Sequence, residues 1–171
     1  HDVNAQSILI TDYRKLINLV NLSLKKQLNK LPKKEIAHQS LKNFGLSILA
    51  SNKKNIIDII NIIAPEHLEL CTKNNNKIIK GVKNAGSIFI GKFSPEAVGD
   101  YLAGPNHVLP TSGSARFSSG LSVNDFLKRH SLIKMTKTGI ERLGSSVINL
   151  AKHENLDGHA NSVKLRLKKD Y

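Results

Sequence analysis

The residue types best suited to chemistry lie around one short apolar segment, Ser87–Ile90. Upstream of it, Glu66 and His67 stand side by side at the start of an earlier apolar segment. Downstream, a glycine-rich loop carries polar and ionisable side chains, namely Ser94, Glu96, Asp100, Tyr101, Asn106 and His107. Loops of this composition are common places for binding and catalysis, and the near-neutral pKa of histidine suits proton transfer. The pattern therefore predicts a site for acid–base chemistry.

Each of these features also has a simpler interpretation. Taken alone, Glu66 beside His67 is more typical of an ordinary surface pair, and Asp100 after Gly99 is more typical of a turn. His1, Asp100 and His159 are residue types that bind zinc, but their spacing is too wide to form a motif by itself. The residues alone leave both interpretations open.

Alternating strands and helices are predicted to position these residues. Strands are predicted at 7–10, 46–50, 68–72 and 87–90, and helices at about 12–29, after Pro32, at 52–63 with Ser51 as the cap, and at 75–82. Short strands that are regularly separated by helices favour a parallel sheet with helices on its faces. We therefore expect an α/β fold with an incomplete, Rossmann-like, mostly parallel sheet and flanking helices.

The alternation stops after Gly120. Helices are predicted at 123–129 and 139–155, the second ending at Gly158, and a short segment that is helical or partly extended follows at 159–167. This region has too little apolar surface to form its own core. We expect an α/β domain at residues 1–121 and a helical arm at 122–171 that packs on another surface, with a partner subunit as the natural candidate.

Composition limits the classes of partner. The net charge of +13 comes from 21 Lys against five Arg, dispersed among Asn and Ile, with five Phe, three Tyr and no Trp to stack on bases. Dispersed lysines are typical of a solvated surface. The apolar run IIDIINIIA is interrupted by Asp58 and Asn61 and is too short to cross a bilayer. The single cysteine, Cys71, excludes an internal disulfide and is expected to be buried. We expect a cytoplasmic protein that binds neither nucleic acid nor membrane.

Three segments resemble one enzyme family. The runs APEHLEL at 64–70, NAGSIFIGKFSPEAVGDYLAGPNHVLPT at 84–111 and HENLDGHANSVKLR at 153–166 are similar to the signature regions of the histidinol dehydrogenases. The resemblance spans nearly the whole chain. It implies a zinc-containing, NAD-dependent enzyme that oxidises L-histidinol through L-histidinal to L-histidine, the last steps of histidine biosynthesis.

The resemblance implies roles for individual residues. His67 is implied to accept the alcohol proton, and Glu66 to activate water for attack on the aldehyde. The implied zinc ligands are His1, Asp100 and His159. The residues implied to contact the substrate are His67, Asp100, His107, Glu154 and His159. No residue is assigned to NAD, because the chain contains no G-x-G-x-x-G pattern.

The resemblance also implies an assembly. Glu154 and His159 are implied to reach the neighbouring subunit of a homodimer, so that sites are shared, and a break at 157–158 is expected to turn both side chains toward one point. A further zinc-binding glutamine of the family would fall before residue 1. We therefore expect the sequence to be the C-terminal part of a longer enzyme, beginning at a zinc-ligand histidine and inactive alone.

Two alternatives come from other functional classes. A basic nucleic-acid-binding module would gather its lysines on one face, place aromatic residues among them and need no metal. A non-catalytic scaffold would keep the fold without a complete site.

Overall fold

The structure is a computed structural model that describes residues 2–167. The described residues form two compact units, divided between Phe126 and Leu127. His1, one of the predicted zinc ligands, lies outside the described residues. None of the helices in the described part has the length and apolar content needed to span a membrane.

The first unit alternates strands and helices. Its elements are β1 (Ile8–Thr11), α1 (Arg14–Leu28), α2 (Lys34–Phe44), β2 (Leu46–Leu49), α3 (Lys53–Ile63), β3 (His67–Leu70), α4 (Asn75–Ile79), β4 (Ser87–Ile90) and α5 (Glu96–Tyr101), followed by short 3₁₀ helices at Ser114–Arg116 and Val123–Phe126. The predicted α/β class is confirmed.

Strand pairing is parallel, as expected for strands separated by helices. β1 pairs with β2, and β3 pairs with β4 so that His67 lies opposite Ser87 and Glu69 lies opposite Phe89. Among residues 2–167, the four strands form two two-stranded sheets and not one continuous sheet. The pair that matters for the site is β3–β4.

Helix α3 leads directly into the site, and both of its ends are set by specific residues. Asn52, and not Ser51 as predicted, caps its start by accepting a hydrogen bond from the backbone N–H of Asn55 at 2.9 Å. At its end, Ala64 takes the left-handed conformation, with φ 51°, and its N–H bonds to the carbonyl of Ile60. This turn directs the chain through Pro65 into β3.

The core of the first unit lies between α3, α4 and the inner face of β3. It consists of Ala50, Ile56, Ile60, Leu68, Leu70 and Ile78. Because side chains alternate along a strand, burial of Leu68 and Leu70 places His67 and Glu69 together on the opposite face. Cys71, which follows the strand, is exposed, so the prediction of a buried thiol is wrong.

The second unit contains two helices, α6 (Lys137–His153) and α7 (Asp157–Leu167). The hydroxyl of Thr136 caps α6 by accepting a hydrogen bond from the N–H of Gly139 at 3.0 Å. The chain breaks between the helices at Asn155, where φ is 58°. Gly158 lies inside α7, so the prediction that it ends the preceding helix is wrong.

Two further predictions for this region differ from the structure. The helix predicted at 123–129 is only the 3₁₀ helix Val123–Phe126, and residues 130–136 form no regular element. The proposed boundary between an α/β domain at 1–121 and a dimerisation arm at 122–171 stays a prediction, because a division into compact units does not identify what the second unit binds.

Candidate functional site

Strand β3 presents His67 at its first position. The ring of His67 lies beside Phe89 of β4, with 5.9 Å between ring centroids and an interplanar angle of 37°. The imidazole Nε2 is buried and has no hydrogen-bond partner among residues 2–167, although the side chain as a whole is 27% exposed. A buried ring nitrogen without a partner loses its hydration without compensation. This atom is therefore the natural contact point for a substrate, an ion or a transferable proton.

Helix α5 brings two carboxylates to the same nitrogen. Glu96 and Asp100 are four residues apart and so project from the same face of the helix. Their nearest oxygens lie 3.8 Å and 3.6 Å, respectively, from His67 Nε2. These distances are too long for hydrogen bonds but short enough for strong electrostatic coupling.

The close approach of α5 to the sheet depends on Gly99. A β-carbon at this position would overlap the ring of Phe89, the same ring that lies beside His67. The absence of a side chain lets the helix lie against β4, and it thereby brings Asp100 to His67.

Two hydrogen bonds hold the start of α5. The N–H of Glu96 donates to the Oε1 of Glu69 at 3.1 Å, and the hydroxyl of Ser94 donates to the carbonyl of Ile90 at 2.9 Å. Pro95 occupies the N-cap position and makes no side-chain cap. The Glu69 carboxylate therefore replaces the usual cap, and the Ser94–Ile90 bond holds the segment just before the helix.

The surroundings of Glu96 change its proton affinity. Partial burial raises the pKa of Glu96 above its ordinary value, and the neighbouring Asp100 carboxyl raises it further, while the charge of a protonated His67 opposes the shift. Glu96 therefore holds a proton more tightly than an isolated glutamate does.

The same three side chains have the chemistry of a metal site. His67, Glu96 and Asp100 each offer a ligand atom, and these atoms lie within 4.8 Å of one another. One imidazole nitrogen and two carboxylate oxygens suit a borderline dication such as Zn²⁺. The cluster can thus serve either proton transfer or metal binding.

The structure brings together only some of the predicted site residues. His67 and Asp100 meet, whereas His107 is exposed in the segment after α5. Glu66 precedes His67, the backbone bends there, and the Glu66 carbonyl accepts a hydrogen bond from the N–H of Ser87 at 2.8 Å. Within the described residues, neither Glu66 nor His107 belongs to the three-residue cluster.

The other predicted residues lie in the second unit or outside the described range. Glu154 follows the last residue of α6, and His159 lies in the first turn of α7, both exposed. The predicted break at 157–158 is instead centred on Asn155. The metal and substrate roles of His1, Glu154 and His159 stay predictions.

Sequence reasoning gave no role to Glu96 or Glu69, and it described α5 as a loop. The signal for α5 was the order Ser94, Pro95, Glu96, since proline at a helix start followed by an acid in the first turn is typical of an N-terminus. For Glu69 the signal was strand alternation, which places it on the same face as His67.

The sequence of the chain is similar to that of one known enzyme family. The family model described as histidinol dehydrogenase matches residues 1–167. The chain is 51% identical over 170 residues to a histidinol dehydrogenase from Caldanaerobacter subterraneus, covering 99% of this chain and 40% of that protein. It is 52% identical over 169 residues to the enzyme from Pelagibacter ubique, with the same coverage.

A solved structure has the same fold. The crystal structure of histidinol dehydrogenase from Elizabethkingia anophelis matches with a TM-score of 0.90 and 37% identity, over 98% of this chain and 38% of that one. The chain therefore spans about 40% of the length of the curated relatives it matches.

Proposed function

The chain belongs to the histidinol dehydrogenase family, and we propose that it supplies the catalytic pair and part of the metal site of an enzyme that oxidises L-histidinol to L-histidine with NAD. The observation that carries the proposal is the unpartnered Nε2 of His67 beside Asp100. Because the chain belongs to this family, we assign the histidine and carboxylate of this site to the oxidation of L-histidinol. We propose a cytoplasmic location, in keeping with a biosynthetic role.

His67 is proposed as the general base of both oxidations. When the alcohol of histidinol loses a hydride to NAD, its hydroxyl proton must be removed, and a ring nitrogen without a competing hydrogen bond can take it. The neighbouring carboxylates stabilise the imidazolium that forms, because both lie within 4 Å. The product of this step is the aldehyde, L-histidinal.

Glu66 is proposed to activate water for the second half of the reaction. Its carboxylate takes a proton from water as the water oxygen attacks the aldehyde carbon, and the imidazolium of His67 gives its proton to the carbonyl oxygen, which yields a hydrate and a neutral His67. A second hydride passes to a second NAD, His67 takes the hydroxyl proton, and the carboxylic acid of histidine results. No residue of this chain is assigned to NAD.

Zinc is proposed as the metal of the site. Asp100 offers a half-buried carboxylate beside an imidazole, and such oxygen and nitrogen donors suit Zn²⁺. We propose that Asp100 binds it together with His1 and His159. When bound, the metal would hold the imidazole and amine of histidinol and so fix the alcohol carbon near the base.

The remaining substrate contacts are proposed from the family resemblance. His67 and Asp100 would bind the reacting end of histidinol, with His107 close by. Glu154 and His159 would come from the neighbouring subunit of a homodimer. The exposure of both residues in the second unit supports this proposal, because it leaves them free to meet another surface.

Steady-state assays of the complete enzyme that contains this sequence test the catalytic pair. His67→Ala should lower turnover of both L-histidinol and L-histidinal by about 10²–10⁴, the usual worth of a general base. Glu66→Gln should lose most with L-histidinal, because water attack then precedes the only hydride transfer. His38→Ala, which changes an exposed histidine on α2, is the matched control. Near-normal turnover of L-histidinal by Glu66→Gln would refute its assigned role.

Metal analysis tests the ligand assignment. Asp100→Asn and His159→Ala should each weaken zinc binding, because each removes one of a few ligands. His67→Ala should retain the metal. Loss of zinc from His67→Ala with retention in His159→Ala would instead assign the metal to the cluster of His67, Glu96 and Asp100.

A further inference from the structure

We propose that Glu69 is a positioning residue that sets the distance between His67 and the two carboxylates of α5. The proposal rests on the proposed function, since it concerns the same site. Glu69 occupies the same face of β3 as His67, two residues further along, while the intervening Leu68 is buried. Its carboxylate thus reaches α5 from the strand that carries the proposed base.

The contact that carries this inference joins two distant parts of the chain. The Oε1 of Glu69 accepts a hydrogen bond from the N–H of Glu96 at 3.1 Å. Glu96 is the first residue of α5, and its own carboxylate lies 3.8 Å from His67 Nε2. One residue of α5 is therefore hydrogen-bonded to β3 through its backbone, while its carboxylate lies within 4 Å of the proposed base.

A conventional cap does not compete with this contact. The N-cap residue, Pro95, has no side-chain group that could accept a hydrogen bond from the first turn. The N–H groups of a first helical turn have no partner within the helix. A negatively charged acceptor from another element therefore stabilises the helix both by a hydrogen bond and by its charge near the positive end of the helix dipole. In α5, Glu69 fills this place from another element.

Movement of the start of α5 would reach Asp100 as well. The helix is six residues long, and Glu96 and Asp100 lie one turn apart on the same face. Gly99 rests on Phe89, which fixes the helix against β4, and Glu69 holds its first residue, while Ser94 bonds to Ile90 just before the helix. Without the Glu69 contact, the first residue of α5 itself has no bond to the strands among residues 2–167, so α5 can pivot on Phe89 and both carboxylates change their distance from His67.

The inference predicts a role for the acceptor oxygen and not for the charge alone. In the complete enzyme, Glu69→Ala should lower kcat/KM for L-histidinol about fivefold, the factor that corresponds to losing a typical helix cap. Glu69→Gln, which keeps an acceptor oxygen of the same reach, should restore most of that loss. Glu35→Ala, which removes an exposed glutamate from the first turn of α2, is the matched control and should leave kcat/KM unchanged.

A second measurement follows the helix directly. Hydrogen–deuterium exchange of peptides that cover residues 94–103 should be faster in Glu69→Ala than in wild type, with Glu69→Gln close to wild type. Peptides from α3 should exchange equally in all three proteins, which separates loosening of α5 from general destabilisation. This readout does not depend on turnover.

The outcomes separate the two proposals. An inactive wild-type enzyme with faster exchange in Glu69→Ala would overturn the proposed function but support the positioning role in the fold. An active wild-type enzyme in which Glu69→Ala changes neither kcat/KM nor exchange would overturn the inference. Equal losses in Glu69→Ala and Glu69→Gln would overturn it as well, because the acceptor oxygen would then not be the cause.

Discussion

The two units of the chain differ in how they hold the residues proposed to act in one site. The first unit buries large aliphatic side chains, including Ile60 and Ile78, and fixes His67 and Asp100 by contacts among its own strands and helices. In the second unit, the buried residues of α6 and α7 are Gly144, Ala151 and Ala160, all of them small. Small residues let two helices approach closely but bury little apolar area.

The second unit also leaves large apolar side chains exposed. These include Leu143, Val147, Leu150, Leu156 and Leu165. Apolar residues exposed on a helical hairpin whose described buried residues are all small are typical of a surface that is covered by another element or subunit. The first unit thus positions His67 and Asp100 by its own contacts, whereas we propose that Glu154 and His159 act on the surface of a partner subunit.

Subunit mixing tests this difference with the largest expected effect. His67→Ala and His159→Ala versions of the complete enzyme should each be nearly inactive. When the two are mixed under conditions that exchange subunits, half of the dimers should contain one intact site. Activity should then return to about a quarter of the wild-type value.

The control for mixing is a pair of variants in the same unit. His67→Ala mixed with Asp100→Asn should regain no activity, because every site would keep a defect from the first unit. Recovery in this control would contradict the proposal that each site combines the first unit of one subunit with the second unit of the other. Absence of recovery in the His67→Ala and His159→Ala mixture would contradict it as well.

Substitution of a buried residue in the first unit should lower stability much more than substitution of an exposed residue in the second unit. Ile78 is 2% exposed, and Ile78→Ala should lower the free energy of unfolding by about 2–5 kcal/mol, since it leaves a cavity in the core. Leu150 is 67% exposed, and Leu150→Ala should change the same quantity by less than about 0.5 kcal/mol if nothing covers it. Denaturant unfolding measures both.

Dimer dissociation, measured by dilution, shows whether another subunit covers Leu150. Weaker association in Leu150→Ala but not in an exposed polar variant such as Asn149→Ala would assign the apolar face of α6 to the subunit contact. Equal dissociation constants in wild type and Leu150→Ala would remove Leu150 from it.

Glycine substitutions give a smaller and more local contrast. Gly99→Ala should lower kcat/KM about tenfold and destabilise the fold by about 1–3 kcal/mol, because the new methyl group overlaps Phe89. A β-carbon at Gly158 has open space around it, and Gly158→Ala should stabilise α7 by up to about 1 kcal/mol. Thermal unfolding of both variants checks the opposite signs. Destabilisation by Gly158→Ala would contradict the open space around Gly158, and unchanged stability in Gly99→Ala would contradict the packing of α5 on Phe89.

Much of the first unit could be predicted from its sequence because local signals agree there. Strand β4 has the predicted bounds, since an apolar run lies between two glycines, and α3 was found from its apolar spacing and a polar cap. Helix α5 was missed because six residues are too few for a helical period to stand out. The meeting of His67, Glu96 and Asp100 depends on how α5 lies against β4, which no local pattern encodes.

In the second unit, local sequence signals placed the break between the two helices at the wrong residue. Gly158 has the residue type of a helix end, and the prediction placed the break there. The chain instead breaks at Asn155, whose side chain tolerates the left-handed conformation, and the glycine begins a new helix. Nothing in the sequence near Glu154 or His159 shows which surface they meet, because local patterns describe a residue's own helix and not its contacts with other surfaces.

The smallest expected effect concerns the pH dependence of Glu96. Its pKa is raised above the ordinary value of 4.5, first by burial and then by Asp100. A carboxyl with a raised pKa binds its proton more tightly in the folded than in the unfolded state. Its stabilising contribution is therefore present below pH 4.5 and is lost as the pH rises through the folded-state pKa.

Glu96→Gln removes this titration, so the variant should gain stability relative to wild type between pH 4 and pH 7 in the metal-free protein. The gain should be less than about 1 kcal/mol, because the side chain is 44% exposed and solvent screens the interaction. Urea unfolding in the presence of a chelator measures it, and Glu35→Gln on α2 provides the baseline for neutralising one carboxylate. A gain that is equal at both pH values would show that the raised pKa of Glu96 does not contribute to folding. A gain confined to high pH would show that the two carboxylates of α5 repel each other in the folded protein. Contacts such as those of Glu69 and Gly99 would then hold α5 beside His67 against this repulsion.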